Sequence, residues 1–324
     1  MRSASTVARL VETARQAQVY GVRPRRSFEQ AAAKFVLANQ HKRSLSRDIG
    51  LLKQLMPWLG ALALERIHLG VLQPFIDARW AERGAVRTIH HGLKVVRRIL
   101  NLAATEWLNE YGLTWLATAP KIKLLPDLHK RAPYPLDWDA QTQLFQRLPD
   151  HLAQMALFAV NTGCRDAEIC NLGWTWEVNL RAMNTSVFII PGSFVKNGDE
   201  RWVVLNRVAL SVTEAMRGKH ATHVFSYRGK PVRRMLNGAW LRARPAVGLP
   251  QVRVHDLKHT FSRRLRAAGV SFEDRQDLLG HRAGRITTHY SAAELSRLIE
   301  AVNCVCERAG NRQELVVLRR LSVS

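Results

Sequence analysis

The hydrophobic rhythm of this chain changes once, across residues 118–135, where Pro120, Pro126 and Pro133 punctuate a basic and poorly periodic run. Before that run, apolar residues recur every three to four positions, the spacing of amphipathic helices. After it, helical stretches alternate with short apolar runs suited to strands. A proline-rich break between two such regimes reads as an interdomain linker. The expected organisation is a basic N-terminal arm (1–26), a helical domain (27–117), the linker (118–135), a mixed domain (136–309) and a short C-terminal tail (310–324).

In the first domain Ser27 is a candidate N-cap for an Ala-rich helix through Leu37, with Glu29 in its first turn. Ser44 or Ser46 starts a second helix, which Pro57 is expected to stop. A third helix spans Leu69 to about Arg83, and a fourth about Ala85–Tyr111. No strand pattern interrupts them, so a small helical bundle is expected. The polar face of the fourth helix carries Arg87, Lys94, Arg97 and Arg98. Four cations without an interleaved acid suit contact with phosphates.

In the second domain, helical patterns at Leu136–Leu148 and His151–Val160 lead into Asn161-Thr162-Gly163. Ser186–Ile190 and Arg201–Leu205 read as two strands joined by a polar turn that contains Lys196, Asn197 and Gly198. From Val208 to about Ala309 the pattern is mostly helical. The expected fold class is therefore mainly α with a small antiparallel β-sheet.

Charge narrows the function. The 324 residues hold 49 Lys and Arg against 26 Asp and Glu, a formal net charge of +23. Divided after Arg131, the two parts carry +13 and +10, so the excess is no basic tail on a neutral body. Two basic folded halves suit a protein that surrounds a polyanion, where each neutralised phosphate releases condensed counterions. No apolar run approaches the ~20 residues needed to span a bilayer. Residues 1–20 lack a signal-peptide core, so a cytoplasmic protein without membrane contact is expected. The four cysteines make neither a disulfide framework nor a structural zinc pattern.

Chemistry-bearing residues cluster late in the chain. In a helix, His255, Lys258 and His259 fall at i, i+3 and i+4, on one face, where clustered donors would clamp an oxyanion. Leu279-Gly280-His281 follows, then Thr288-His289-Tyr290. Upstream, Arg165 stands just past a Gly-containing turn, with Glu168 one helical turn on, within reach of a supporting salt bridge. His255 and His259 also have metal-pair spacing, but Asp256 stands where the zincin pattern needs Glu and no third ligand is obvious. Neither a metal nor a nucleotide cofactor is expected, since G-x-x-x-x-G-K-[ST] does not occur.

Taken together, Thr162-Gly163-Cys164-Arg165-Asp166-Ala167-Glu168-Ile169, Lys196 in its hairpin, His255-Asp256-Leu257-Lys258-His259, Leu279-Gly280-His281 and Tyr290 resemble the tyrosine recombinase (phage integrase) family. The resemblance spans about 136–309, and the helical bundle before it is similar, less specifically, to the family's SAM-like core-binding domain. It implies Tyr290 as nucleophile, Arg165, Lys196, His255, Lys258 and His281 as catalytic residues, and Glu168 and His259 in support. It further implies a double-stranded recombination site as substrate, a monomer when free and a homotetramer on DNA. In that tetramer the helix after Tyr290, 292–308, packs on a neighbouring protomer. With fewer than 30 residues ahead of the bundle, no separate arm-binding domain is expected.

One position departs from the pattern: Lys258 stands where the family usually has a second arginine. Arginine offers phosphate a planar fork and lysine a single point charge. Arg263 and Arg264 are near, but their spacing points them off the Lys258 face. The substitution leaves two expectations open, a working recombinase or a DNA-binding protein of the same fold with weakened cleavage. A tyrosine hydroxyl titrates near 10, so it needs a cationic site to become a nucleophile at neutral pH. The pentacoordinate phosphate gains negative charge, which preorganised cations would stabilise. The leaving 5′ oxygen needs a proton, for which Lys196 is the family-like donor.

Overall fold

A computed structural model describes residues 2–82, 86–126, 131–280 and 292–306. The chain divides into two compact units, 1–130 and 131–324. The first is helical: α1 (Arg2–Tyr20), α2 (Phe28–Ala38), α3 (Leu45–Leu59), α4 (Leu69–Ala81) and α5 (Val86–Thr105). Ser27 caps α2 through a reciprocal box, its hydroxyl accepting from Gln30 N at 3.2 Å while the Gln30 side chain accepts from Ser27 N at 3.1 Å.

Pro57 does not stop α3, which runs on to Leu59. Leu55 and Leu59 are both fully buried, and packing of that last turn outweighs the one hydrogen bond the proline forfeits. α5 ends six residues before Tyr111, the expected limit. There Trp107 turns into the core, and Asn109 Oδ1 accepts from Tyr111 N and Leu113 N, closing a turn around Gly112 at φ +75°. Part of the proline-punctuated run packs on this unit: Ile122 is buried, Leu124 and Leu125 pack beside it, and His90 Nε2 lies 2.7 Å from Leu125 O.

The second unit holds α6 (Trp138–Arg147), α7 (Asp150–Thr162), α8 (Asp166–Cys170), β1 (Glu177–Leu180), β2 (Thr185–Ile190), β3 (Arg201–Val204), α9 (Arg207–Met216), the hairpin of β4 (Ser226–Tyr227) and β5 (Lys230–Pro231), α10 (Gly238–Ala246), α11 (Val254–Ala267), α12 (Phe272–Leu279) and α13 (Ala292–Asn303). The sheet is antiparallel in the order β1-β2-β3, with Glu177 opposite Phe188 and Ile190 opposite Arg201. The fold is thus mainly α with small antiparallel sheets, as the periodicity indicated. β1 and the β4–β5 hairpin were not expected from the sequence, their segments of four, two and two residues being too short to establish a periodicity.

α7 is the hub of this unit: Leu152, Met155, Ala156, Phe158, Ala159 and Val160 are fully buried, packed in one core with Leu257 of α11. The entering segment lies along α11. Tyr134 N donates to Asp256 Oδ1 at 3.0 Å, Leu136 N donates to Thr260 Oγ1 at 2.9 Å, and the Arg264 guanidinium sits 3.5 Å from the centre of the Trp138 ring. Asp256, Thr260 and Arg264, spaced i, i+4 and i+8, thereby form a strap-bearing face of α11. α13 packs on its own unit in this single chain, with Leu295, Leu298 and Val302 buried and Asn206 Nδ2 donating to Val302 O at 3.2 Å. No described helix is long and apolar enough to cross a membrane.

Candidate active site

Two helix ends meet at the centre of the second unit. α7 stops because Gly163 adopts φ +62°, and a Cβ there would lie 2.5 Å from Phe261 Cδ1, so only glycine fits. α12 stops in the same way at Gly280, φ +58°, where a Cβ would come within 2.7 Å of Arg201 Cδ. Each end presents unpaired carbonyl oxygens, the negative pole of its helix.

Arg165 follows the first glycine in extended backbone at the start of α8. Its amide donates to Glu168 Oε2 at 2.7 Å and its Nη1 donates to Glu168 Oε1 at 2.6 Å. Glu168 is buried and also pairs with Nη1 of Arg201, the first residue of β3. Burial alone would raise the Glu168 carboxyl, but the two guanidiniums outweigh it and hold it below the usual range. Arg201 Nη2 donates to Thr162 O, Gly163 O and Leu278 O at 3.3, 3.1 and 3.3 Å, so one buried guanidinium joins both helix ends.

The i, i+3, i+4 spacing on α11 does not yield one exposed cationic face. His255 is exposed, His259 is half-buried, and their rings stand nearly perpendicular with centroids 4.8 Å apart. Lys258 is buried, with Nζ donating to Gly163 O at 2.9 Å and to Leu279 O at 2.6 Å. These carbonyl oxygens, at the ends of α7 and α12, draw the ammonium inward. Burial, with Arg201 and Arg165 nearby, pushes Lys258 down to about 7. Burial of part of the ring, then His259, Lys258 and Arg165, lowers His255 as well, which favours the uncharged imidazole that can accept a proton.

Lys196 is exposed on the β2–β3 connection. Buried Val195 pins that loop, and its two ends close so tightly that a Cβ on Gly192 would lie 2.1 Å from Gly198 O. His281 and Tyr290 lie outside the described residues. In the first unit Arg87, Lys94, Arg97 and Arg98 are all exposed on α5, and Arg98 Nη2 has an acid 3.9 Å away in Glu106. Arg47 of α3 belongs to the same field: with Lys94 and Arg87 it adds to burial in lowering His91.

Arg201 was absent from the residues singled out by sequence. Its signal was a charged residue on the inward side of a short strand, in step with buried Val203 and Leu205. Arg264, one of the arginines near Lys258, is buried against Trp138 and does not face this junction.

Residues 138–297 match the family model described as the phage integrase family. The integrase of Salmonella phage P22 is 25% identical over 319 residues, covering 86% of this chain and 80% of that protein. Among solved structures, a lambda integrase (75–356) dimer bound to a COC' core site is similar with a TM-score of 0.58 and 17% identity, covering 82% of this chain and 99% of that one. The Tn1549 transposon integrase (82–397) in complex with circular intermediate DNA gives 0.58 and 15%, covering 83% and 97%. The second unit thus has the fold of these integrases. Over residues 138–297 it is a phage integrase domain, that of the tyrosine recombinase family, which supports site-specific DNA recombination.

Proposed function

We propose that this chain cleaves and rejoins duplex DNA at a specific site through a 3′-phosphotyrosyl intermediate on Tyr290. The observation that carries this reading is Arg165, 22% exposed at its side chain and held by Glu168 through backbone and guanidinium at once, close enough to His255 to lower it. A guanidinium so oriented is ready for a non-bridging phosphate oxygen and needs no reorganisation as charge develops. The Tyr290 oxygen attacks phosphorus as its proton passes to His255, and the bond to the 5′ oxygen breaks. Lys196 then supplies the leaving oxygen's proton. His281 adds a further donor to the phosphate, and His259 backs His255. The phosphotyrosyl bond conserves the energy of the broken one, so no nucleotide is consumed.

Arg87, Lys94, Arg97 and Arg98 hold the duplex through its phosphates. Exchange proceeds in a homotetramer, with the free protein a monomer; a lambda integrase of this fold was solved as a tetramer bound to a Holliday junction. The test is a nicked suicide substrate carrying the chain's own recombination site. A covalent adduct that Tyr290→Phe abolishes is the expected result, and its absence with the wild-type protein sinks the reading. A second reading, sequence-specific binding with weakened cleavage, draws on the inward turn of Lys258. Specific binding without adduct in both wild type and Lys258→Arg would select it.

A further inference from the structure

Four carbonyl oxygens from two helix ends, Thr162 and Gly163 of α7 with Leu278 and Leu279 of α12, point at two buried cations. Arg201 takes three of them from the sheet side and has Glu168 as its counter-ion. Lys258 takes two from the α11 side and shares Gly163 O with Arg201. Among the described residues the lysine has no carboxylate of its own as a hydrogen-bond partner; what it binds is the negative pole of each helix. Both short bonds are spent on backbone, and the side chain is buried. An amine in either protonation state retains an N–H for each carbonyl.

These contacts sit at two points of leverage. Gly163 lies two residues before Arg165, and Leu279 lies two residues before His281. We propose that Lys258 is a positioning residue: it never touches the scissile phosphate, but cross-links the ends of α7 and α12 and so sets the backbone from which the chain runs on to Arg165 and to His281. This rests on the reading that those two residues face the phosphate. It also gives a physical sense to lysine at this position. Two carbonyls converging at 2.6 and 2.9 Å suit a compact, rotatable ammonium, whereas a planar fork is shaped for a phosphate.

The test compares wild type, Lys258→Gln, Lys258→Met and Arg165→Ala on suicide substrates with either a phosphodiester or a neutral methylphosphonate at the scissile position. Glutamine has no charge but two N–H donors, so it can still serve both carbonyls. Adduct formation by Lys258→Gln is expected within ~10-fold of wild type, and by Lys258→Met about 100-fold lower, the scale of a misplaced catalytic group. On the methylphosphonate, Arg165→Ala regains activity relative to its own phosphodiester rate, because the charge it neutralised is gone. Lys258→Met does not. Recovery of Lys258→Met on that substrate, or a folded Lys258→Gln as defective as Lys258→Met, overturns the proposal.

Amide exchange in the full-length chain supplies a readout independent of cleavage. Peptides covering 162–168 and 276–280 should exchange faster together in Lys258→Met and stay near wild type in Lys258→Gln. Unchanged exchange in both variants overturns the cross-link, even if wild type forms no adduct and the recombinase reading itself has failed. If Lys258→Met does not fold, Lys258→Gln decides alone.

Discussion

Glu168 accepts from the Arg165 side chain with one carboxylate oxygen, at 2.6 Å, and from the Arg165 amide with the other, at 2.7 Å. The second oxygen also meets Arg201, so the partly exposed Arg165 guanidinium and the buried one that joins two helix ends share a single counter-ion. Orientation at the surface and integrity of the core are thus coupled through one carboxylate.

Glu168→Gln should therefore damage stability and cleavage together. The Glu168 and Arg201 side chains are 2% and 1% exposed, and removing one partner of such a pair leaves a buried charge uncompensated. The expected loss is about 3–5 kcal/mol in urea unfolding, with adduct formation reduced in whatever fraction stays folded. A loss below ~1 kcal/mol would show that the pair does not carry this junction.

Lys258 gives stability a pH dependence of definite sign. In the unfolded chain its amine keeps the ordinary value of 10.5, and in the folded chain it is held at about 7. Between those values the unfolded chain binds the extra proton, so raising the pH favours the folded state. The contribution grows through that window toward an upper limit of about 5 kcal/mol, and is constant below it. Unfolding free energies of wild type and Lys258→Met, measured from pH 6.5 to 10, should converge as the pH falls if the methionine's advantage is small and diverge in favour of wild type as it rises. Parallel curves would mean that the amine titrates normally.

Asp256 anchors the entering strap through the Tyr134 amide at 3.0 Å and the Arg131 guanidinium at 3.4 Å, and accepts from Arg253 N at 2.8 Å as well. Asp256→Asn removes the charge and one acceptor from a buried site. A cost of ~1–3 kcal/mol and faster proteolysis within 131–136 are expected, while Leu136 N retains Thr260. Equal cleavage rates in mutant and wild type would disconnect Asp256 from the strap.

Lys196 acts, on the proposed mechanism, only on the leaving oxygen. Lys196→Ala should slow adduct formation on normal DNA by 10²–10⁴-fold, the range of general acid catalysis. On a substrate with sulfur in place of the 5′ bridging oxygen it should cleave near the wild-type rate, since a thiolate leaves without a proton. A lysine that served the phosphate charge instead would show the same defect on both substrates.

Several decisions were readable along the chain because they are local. Ser27 set the start of α2, the 3.6-residue rhythm set the bundle, and two apolar runs around an Asn-Gly turn set β2 and β3. Residue order also identified Arg165, Glu168 and His255 as a group before any geometry was available. Where local rules failed, packing overrode them: α3 passes Pro57 to bury Leu59, and α5 ends early so that Trp107 can turn inward. Spacing could state that His255, Lys258 and His259 share neighbouring turns of one helix. It could not state which of them faces solvent, because that depends on carbonyl oxygens contributed by residues 95 and 21 positions away. Arg201 escaped notice for the same reason, its partners lying at distances of 33 to 77 residues. The sequence by itself determined the family, the helices and the chemical inventory. Only the tertiary structure decided which cation stays partly exposed and which are consumed in holding two helix ends together, since long-range convergence of backbone dipoles leaves no periodic trace.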